Sequence, residues 1–112
     1  MNKYILKFRA SDKAEFETII DGRKTVETRA ATPRYQKVQA GDILVVKCGD
    51  QTVEKKVKKI EKFDSIDELI NSVGIKNVMN LAPNIDRAKY VWRSFPGYDQ
   101  KIKQYGLIAW YI

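Results

Sequence analysis

Histidine is missing from this 112-residue chain, and cysteine occurs once, at Cys48. Without histidine, Ser–His–Asp and Cys–His machinery and histidine-containing zinc sites are excluded. One cysteine can form neither an intramolecular disulfide nor a thiolate metal centre. No metal and no cofactor is therefore expected. Any chemistry runs on Lys, Glu, Asp, Tyr, Thr or Ser, or through an oxygen-ligated ion.

Long apolar runs are lacking as well. The first residues, MNKYILKFRASDK, hold only Tyr4-Ile5-Leu6, so neither a signal peptide nor a membrane-spanning helix is expected. A lone thiol fits a reducing interior, and the expected setting is cytoplasmic. Repeats, low-complexity tracts and linker-like stretches are also absent, which makes residues 1–112 one expected domain. At this length one hydrophobic core suffices, and the 44% hydrophobic and 31% charged fractions are those of a soluble globular chain.

Positive charge is what the chain has in excess. The net charge is +7 and the pI is about 9.5. The excess is densest in Thr52–Lys62, which holds Lys55, Lys56, Lys58, Lys59 and Lys62. A polyanion is the natural partner of such a surface, because each neutralised phosphate releases condensed counterions. The plainer reading is that the charge only keeps a small protein in solution. The lysine run itself reads two ways: as a track for a nucleic-acid backbone, or as a guard against pairing along an edge strand.

The order of elements points to an α+β fold. Tyr4–Phe8 reads as a strand. Ser11 or Asp12 can cap a following helix, with Glu15 completing a box with Asp12; Ala14, Phe16, Ile19 and Ile20 share its apolar face, and Gly22 ends it. Arg23–Arg29 reads as extended and Ala30–Ala40 as a loop. The strand Ile43–Cys48 turns at Gly49-Asp50 into a second strand spanning Thr52–Phe63. Ser65-Ile66-Asp67-Glu68 is a capping box before a helix that Gly74 ends. A second helical piece spans Ile75–Ala82, and a third, capped by Asn84, spans Ile85–Phe95. Leu107–Ile112 closes the chain as a strand, with Ile108 and Trp110 on one face. Segregated helices with a mainly antiparallel sheet define α+β.

Three sets of residues can carry function. In Gly22–Arg29, a period-two strand puts Thr25, Glu27 and Arg29 on one face, with Lys24 at the junction before it. Lysine and arginine suit phosphate oxygens, and a glutamate accepts from a base amine. Lys24 and Glu27 can also act as an acid–base pair on a water or hydroxyl once burial shifts a pKa. From composition alone, a charged strand face is solvated surface laced with ion pairs. The second set is the lysine run. The third is aromatic: Tyr90, Trp92, Phe95, Tyr98, Tyr105, Trp110 and Tyr111, near Lys89, Arg93, Lys101 and Lys103. Most aromatics in so small a chain are core, leaving at most two to stack on unpaired bases. Arg34 and Tyr35, beside Pro33, sit in a loop placed to close over a ligand. Cys48 reads as a buried packing residue.

Gly22, Lys24, Glu27 and Arg29 form a Gly-x-Lys-x-x-Glu-x-Arg element, followed about a dozen residues on by Gly41-Asp42 and an apolar strand. Together with the capped Ser65–Glu68 turn and Tyr105-Gly106 before the last strand, this pattern resembles the ASCH (activating-signal-cointegrator homology) domain over nearly the whole chain. The resemblance implies a PUA-like, mainly antiparallel β-barrel with helices packed on one side. It also implies a cleft lined by Lys24, Glu27 and Arg29, and RNA or another nucleotide or nucleoside as partner. Some members of that family act as amidohydrolases on acetylated cytidine and others are linked to ribonuclease activity. In the amidohydrolase type the motif lysine works with a threonine, whose place Glu27 holds here. The expected function is RNA or nucleotide binding, with a small hydrolase of a modified nucleoside or of RNA as the alternative.

Overall fold

The computed structural model describes residues 1–112. Its elements follow in the order β1 (Lys3–Lys7), α1 (Lys13–Ile20), β2 (Val26–Ala30), α2 (Pro33–Gln36), β3 (Ile43–Cys48), β4 (Gln51–Lys56) and β5 (Lys59–Phe63). Then come α3 (Ile66–Val73), α4 (Ile75–Val78), α5 (Ile85–Arg93), α6 (Tyr98–Tyr105) and β6 (Leu107–Tyr111).

Six strands make two three-stranded sheets, ordered β1-β3-β4 and β2-β6-β5. Only β1 and β3 run parallel, with Leu6 opposite Val46; the other pairs are antiparallel. The α+β class therefore stands. The strands form two separate ladders, and neither sheet closes on itself as a barrel. The two sheets meet at Val57-Lys58. The single strand anticipated over Thr52–Phe63 breaks there, because Val57 exchanges backbone bonds with Gly41 and Asp42 of the first sheet while Lys58 N–H donates to Tyr111 of the second. The chain crosses from sheet to sheet at that step.

Alternation along β6 sorts the two cores. Ile108 and Trp110 face Leu6, Leu44, Val46, Phe16 and Ile19 between the sheets. Leu107 and Ala109 face Leu69, Val78, Ala88 and Trp92 in the helical layer. Fully buried Phe16, Leu6 and Ile19 each contribute about 1.5–3 kcal/mol of apolar burial. Helices α3 to α6 thus cover one face of the second sheet, as expected for helices on one side, but α1 packs into the inter-sheet core. Its buried face is Phe16, Thr18 and Ile19, and Ile20 is exposed. Cys48 is buried in the same core.

Local signals were mixed in outcome. Ser65 caps α3 by accepting from Glu68 N–H, and Glu68 returns a bond to Asp64 N–H. Asn84 caps α5 through Arg87 N–H. The Asp12–Glu15 box does not form: Ala10–Asp12 is a 3₁₀ turn, and Asp12 takes Arg9 instead. The Ala30–Ala40 loop contains α2, which starts at Pro33, where a missing N–H is harmless. The helix at Ile75 ends at Val78 rather than Ala82. Helix α6, with Ile102 its buried residue, was not anticipated.

Candidate functional site

The end of α1 sets Lys24. After Asp21 the chain turns at Gly22, whose φ of +85° favours glycine, and Lys24 N–H bonds back to the Thr18 carbonyl at 3.0 Å. That turn sends the Lys24 side chain inward, where it is 6% exposed and Nζ donates to the Val78 carbonyl. Thr25 bonds through its backbone to Asn77, and its residue is exposed rather than facing inward with Glu27. Strand β2 then carries Glu27, 4% exposed, whose Oε1 accepts from Thr28 N–H at 2.8 Å.

Lys24 and Glu27 line one cavity of about 90 Å³, open on one side. Lys24 Nζ lies 3.7 Å from Glu27 Oε1 and 3.9 Å from Glu15 Oε2. Arg29 reaches the other oxygen of Glu27 at 3.8 Å, and its guanidinium lies 5.4 Å from the Phe8 ring centre. Arg9, bonded to Asp12 at 2.7 Å, lies 4.0 Å over the ring of Phe95. Trp92, Tyr98 and Met79 complete the apolar wall. The motif face is thus buried and not the solvated strand face that composition alone suggests. The ladder of β2 to β6 holds its backbone rigid, with Glu27 opposite Trp110.

Burial dominates the electrostatics. It raises the Glu15 carboxyl above its ordinary range, against the lowering effect of Lys24; Leu81 N–H donates to Glu15 Oε1 at 3.4 Å. Burial also pushes the Tyr98 phenol well above its usual value. The cavity adjoins a second one of about 200 Å³, sharing Asp12, Glu15, Met79 and Val91 as common wall and extending to Leu81 and Arg87. No group of three or more His, Cys, Asp or Glu side chains is placed to hold a metal ion, and no helix is long and apolar enough to cross a membrane.

Other expected residues lie elsewhere. Arg34 donates to the Ile5 carbonyl at 3.2 Å, and Tyr35 packs edge-on against Trp110 at 5.5 Å. Lys55 and Lys56 are on β4, Lys59 and Lys62 on β5, and Lys58 between them. Both are edge strands, and none of these lysines lines the cavity. Of the seven aromatics, Tyr90 and Tyr105 are exposed, while Trp92, Phe95 and Tyr98 line the cavity. Sequence reasoning missed Glu15, Arg9 and Phe8. The signal for Glu15 was its i, i+4 spacing from Ile19, which puts it on the inward face of α1. Nothing in the sequence marks Phe8 and Arg9 beyond their place at the end of β1.

Comparison with known proteins supplies the family. The structure named hypothetical protein PH0355 matches with a TM-score of 0.84 and 26% identity, over 99% of this chain and 96% of that one. The solution NMR structure of Protein PF0455 from Pyrococcus furiosus matches in fold, with a TM-score of 0.76 and 24% identity over 97% and 94%. Among curated proteins nothing matches. The ASCH domain family model matches residues 13–111. With nearly its full length so matched, and the motif lysine and glutamate side by side, the chain belongs to the ASCH domain family.

Proposed function

We propose that the protein is an RNA- or nucleotide-binding module of the PUA-like kind, and that it reads its ligand in the cavity floored by Lys24 and Glu27. In this reading the two facing sheets are an open form of the PUA-like barrel. One observation carries the proposal: an ammonium and a carboxylate, 6% and 4% exposed, share the floor of a cavity walled by aromatic rings. Desolvating two charges is unfavourable, and a fold needing only stability fills such a position with apolar atoms. Aromatic walls suit the face of a base, and Arg29 and Arg9 at the rim suit a phosphate. The lysines of β4 and β5 would steer a longer strand toward the protein without touching the base. An RNA partner and a lone buried thiol fit a cytoplasmic setting.

The test is single-stranded RNA binding followed by anisotropy over a range of salt. Log affinity should fall steeply with log salt, and Arg29→Ala and Glu27→Gln should each weaken binding in variants that still melt in one cooperative transition. Affinity indifferent to both substitutions would remove the cavity from the proposal.

A second reading, hydrolysis of a modified nucleoside or of RNA, is favoured by one observation: Glu15, held above its ordinary pKa, stands beside Lys24 and across from Glu27. Two carboxylates in different environments around one lysine can divide acid and base roles. Incubation with acetylated cytidine and with labelled RNA decides it. Turnover that Glu27→Gln abolishes supports hydrolysis; no turnover of either substrate leaves binding alone.

A further inference from the structure

The charged groups of the cavity leave hydrogen-bonding capacity unused. Lys24 Nζ carries three N–H donors, and one is taken by the Val78 carbonyl. Glu27 Oε1 is satisfied by Thr28 N–H and Glu15 Oε1 by Leu81 N–H. The second oxygen of each carboxylate, Glu15 Oε2 and Glu27 Oε2, is buried and has no hydrogen-bond partner. The nearest cations stay beyond bonding range, Lys24 at 3.9 Å from Glu15 and Arg29 at 3.8 Å from Glu27. Native proteins rarely leave buried acceptors unpaired, and these two belong to side chains that line one cavity, where a ligand that supplies donors would match them.

We infer that the cavity selects a nucleobase bearing an exocyclic amino group and rejects the counterpart bearing a carbonyl in its place. This rests on the nucleotide-binding reading above and sharpens it. An amino group has two N–H donors diverging from one nitrogen, one for each carboxylate. In adenine and cytosine the ring atom beside the amine is a lone-pair nitrogen, an acceptor for a free N–H of Lys24. Hypoxanthine and uracil reverse both positions: a carbonyl oxygen replaces the amine and an N–H replaces the ring acceptor. Their carbonyl would face two carboxylates, and their N–H would face an ammonium. Aromatic walls hold either member of each pair equally well by its face, so the discrimination falls to Glu15, Glu27 and Lys24.

The experiment is calorimetric titration of the wild-type protein with two matched pairs, CMP against UMP and AMP against IMP. Monophosphates are small enough to leave the lysines of β4 and β5 out of the comparison. The amino member of each pair should bind at least about tenfold more tightly, the scale set by unpaired buried acceptors. Glutamine offers a donor where glutamate has none, so Glu15→Gln and Glu27→Gln should each shrink the preference or turn it toward UMP and IMP. Equal affinities within both pairs overturn the inference and leave nucleotide binding intact. RNA binding without any monophosphate binding also overturns it, because the base is then not read in the cavity. A preference that survives both substitutions unchanged overturns the assignment to these carboxylates. Failure to bind RNA or any of the four nucleotides removes the nucleotide-binding reading together with the inference.

Discussion

Lys24 Nζ stands 3.7 Å from Glu27 Oε1, near enough for strong attraction and too far for a hydrogen bond. Each group has its own bond elsewhere, the lysine to Val78 and the carboxylate to Thr28. The pair is therefore held in place by the backbone and not by its own contact. Charges fixed in this way, each with free capacity, are the pattern associated with ligand sites.

Removing the lysine should expose what the pair is worth. Lys24→Met leaves Glu15 and Glu27 without their nearest shared cation, and a buried pair broken on one side is destabilised by about 3–5 kcal/mol. Urea denaturation at neutral pH should show that loss. The double variant Lys24→Met/Glu27→Gln should recover a good part of it. If the single variant is as stable as wild type, the pair is not buried as described.

Glu15 gives a pH signature. Its carboxyl, ordinarily 4.5, is raised in the fold chiefly by burial, against Lys24 and the Leu81 N–H and with help from Glu27 and Asp12. A raised carboxyl binds more protons folded than unfolded, so its contribution to stability falls as pH climbs through 4.5 toward the folded value. Glu15→Gln, with no charge to bury, should be more stable than wild type at pH 7. Thermal melts in a pH series should show the two converging below about pH 4.5.

The lysine strands and the cavity should separate experimentally. Replacing Lys55, Lys56, Lys58 and Lys59 with glutamine should flatten the salt dependence for single-stranded RNA by roughly 0.7 in slope for each phosphate no longer neutralised. CMP affinity should not move. A salt slope that survives the fourfold change would assign those residues to edge protection alone.

Gly106 is a backbone requirement. Its φ is +77°, and a Cβ placed there would sit 2.7 Å from the Phe63 carbonyl oxygen. Gly106→Ala should lower stability by roughly 1–3 kcal/mol, with β6 and β5 forced to part locally. The midpoint of urea unfolding reads this directly, and an unchanged midpoint would refute the close approach.

Much of this molecule is legible in its residues where the signals are local. Ser65 and Asn84 announce their helices because capping is a contact between near neighbours. Alternation in Leu107–Tyr111 separates the two cores because each face of β6 meets its own apolar layer. The break at Val57-Lys58 was hidden because the partners that cause it, Gly41, Asp42 and Tyr111, are remote in sequence. Helix α6 was hidden because Ile102 is its one buried residue, too little to set a period. At the site, Lys24, Glu27 and Arg29 stood out by their spacing, whereas Glu15 looked like half of a capping box. Lys24, nine residues on, is brought beside it only by the turn at Gly22.

Val57 is fastened to one sheet and Lys58, the very next residue, to the other. Two layers stapled at adjacent residues have little freedom to slide or gape. Sheet and α1 side chains form one wall of the cavity, and Met79, α5 and α6 form the opposite one. The sheet wall therefore presents Glu27 and Arg29 as one preset frame, to which a ligand must fit rather than the reverse.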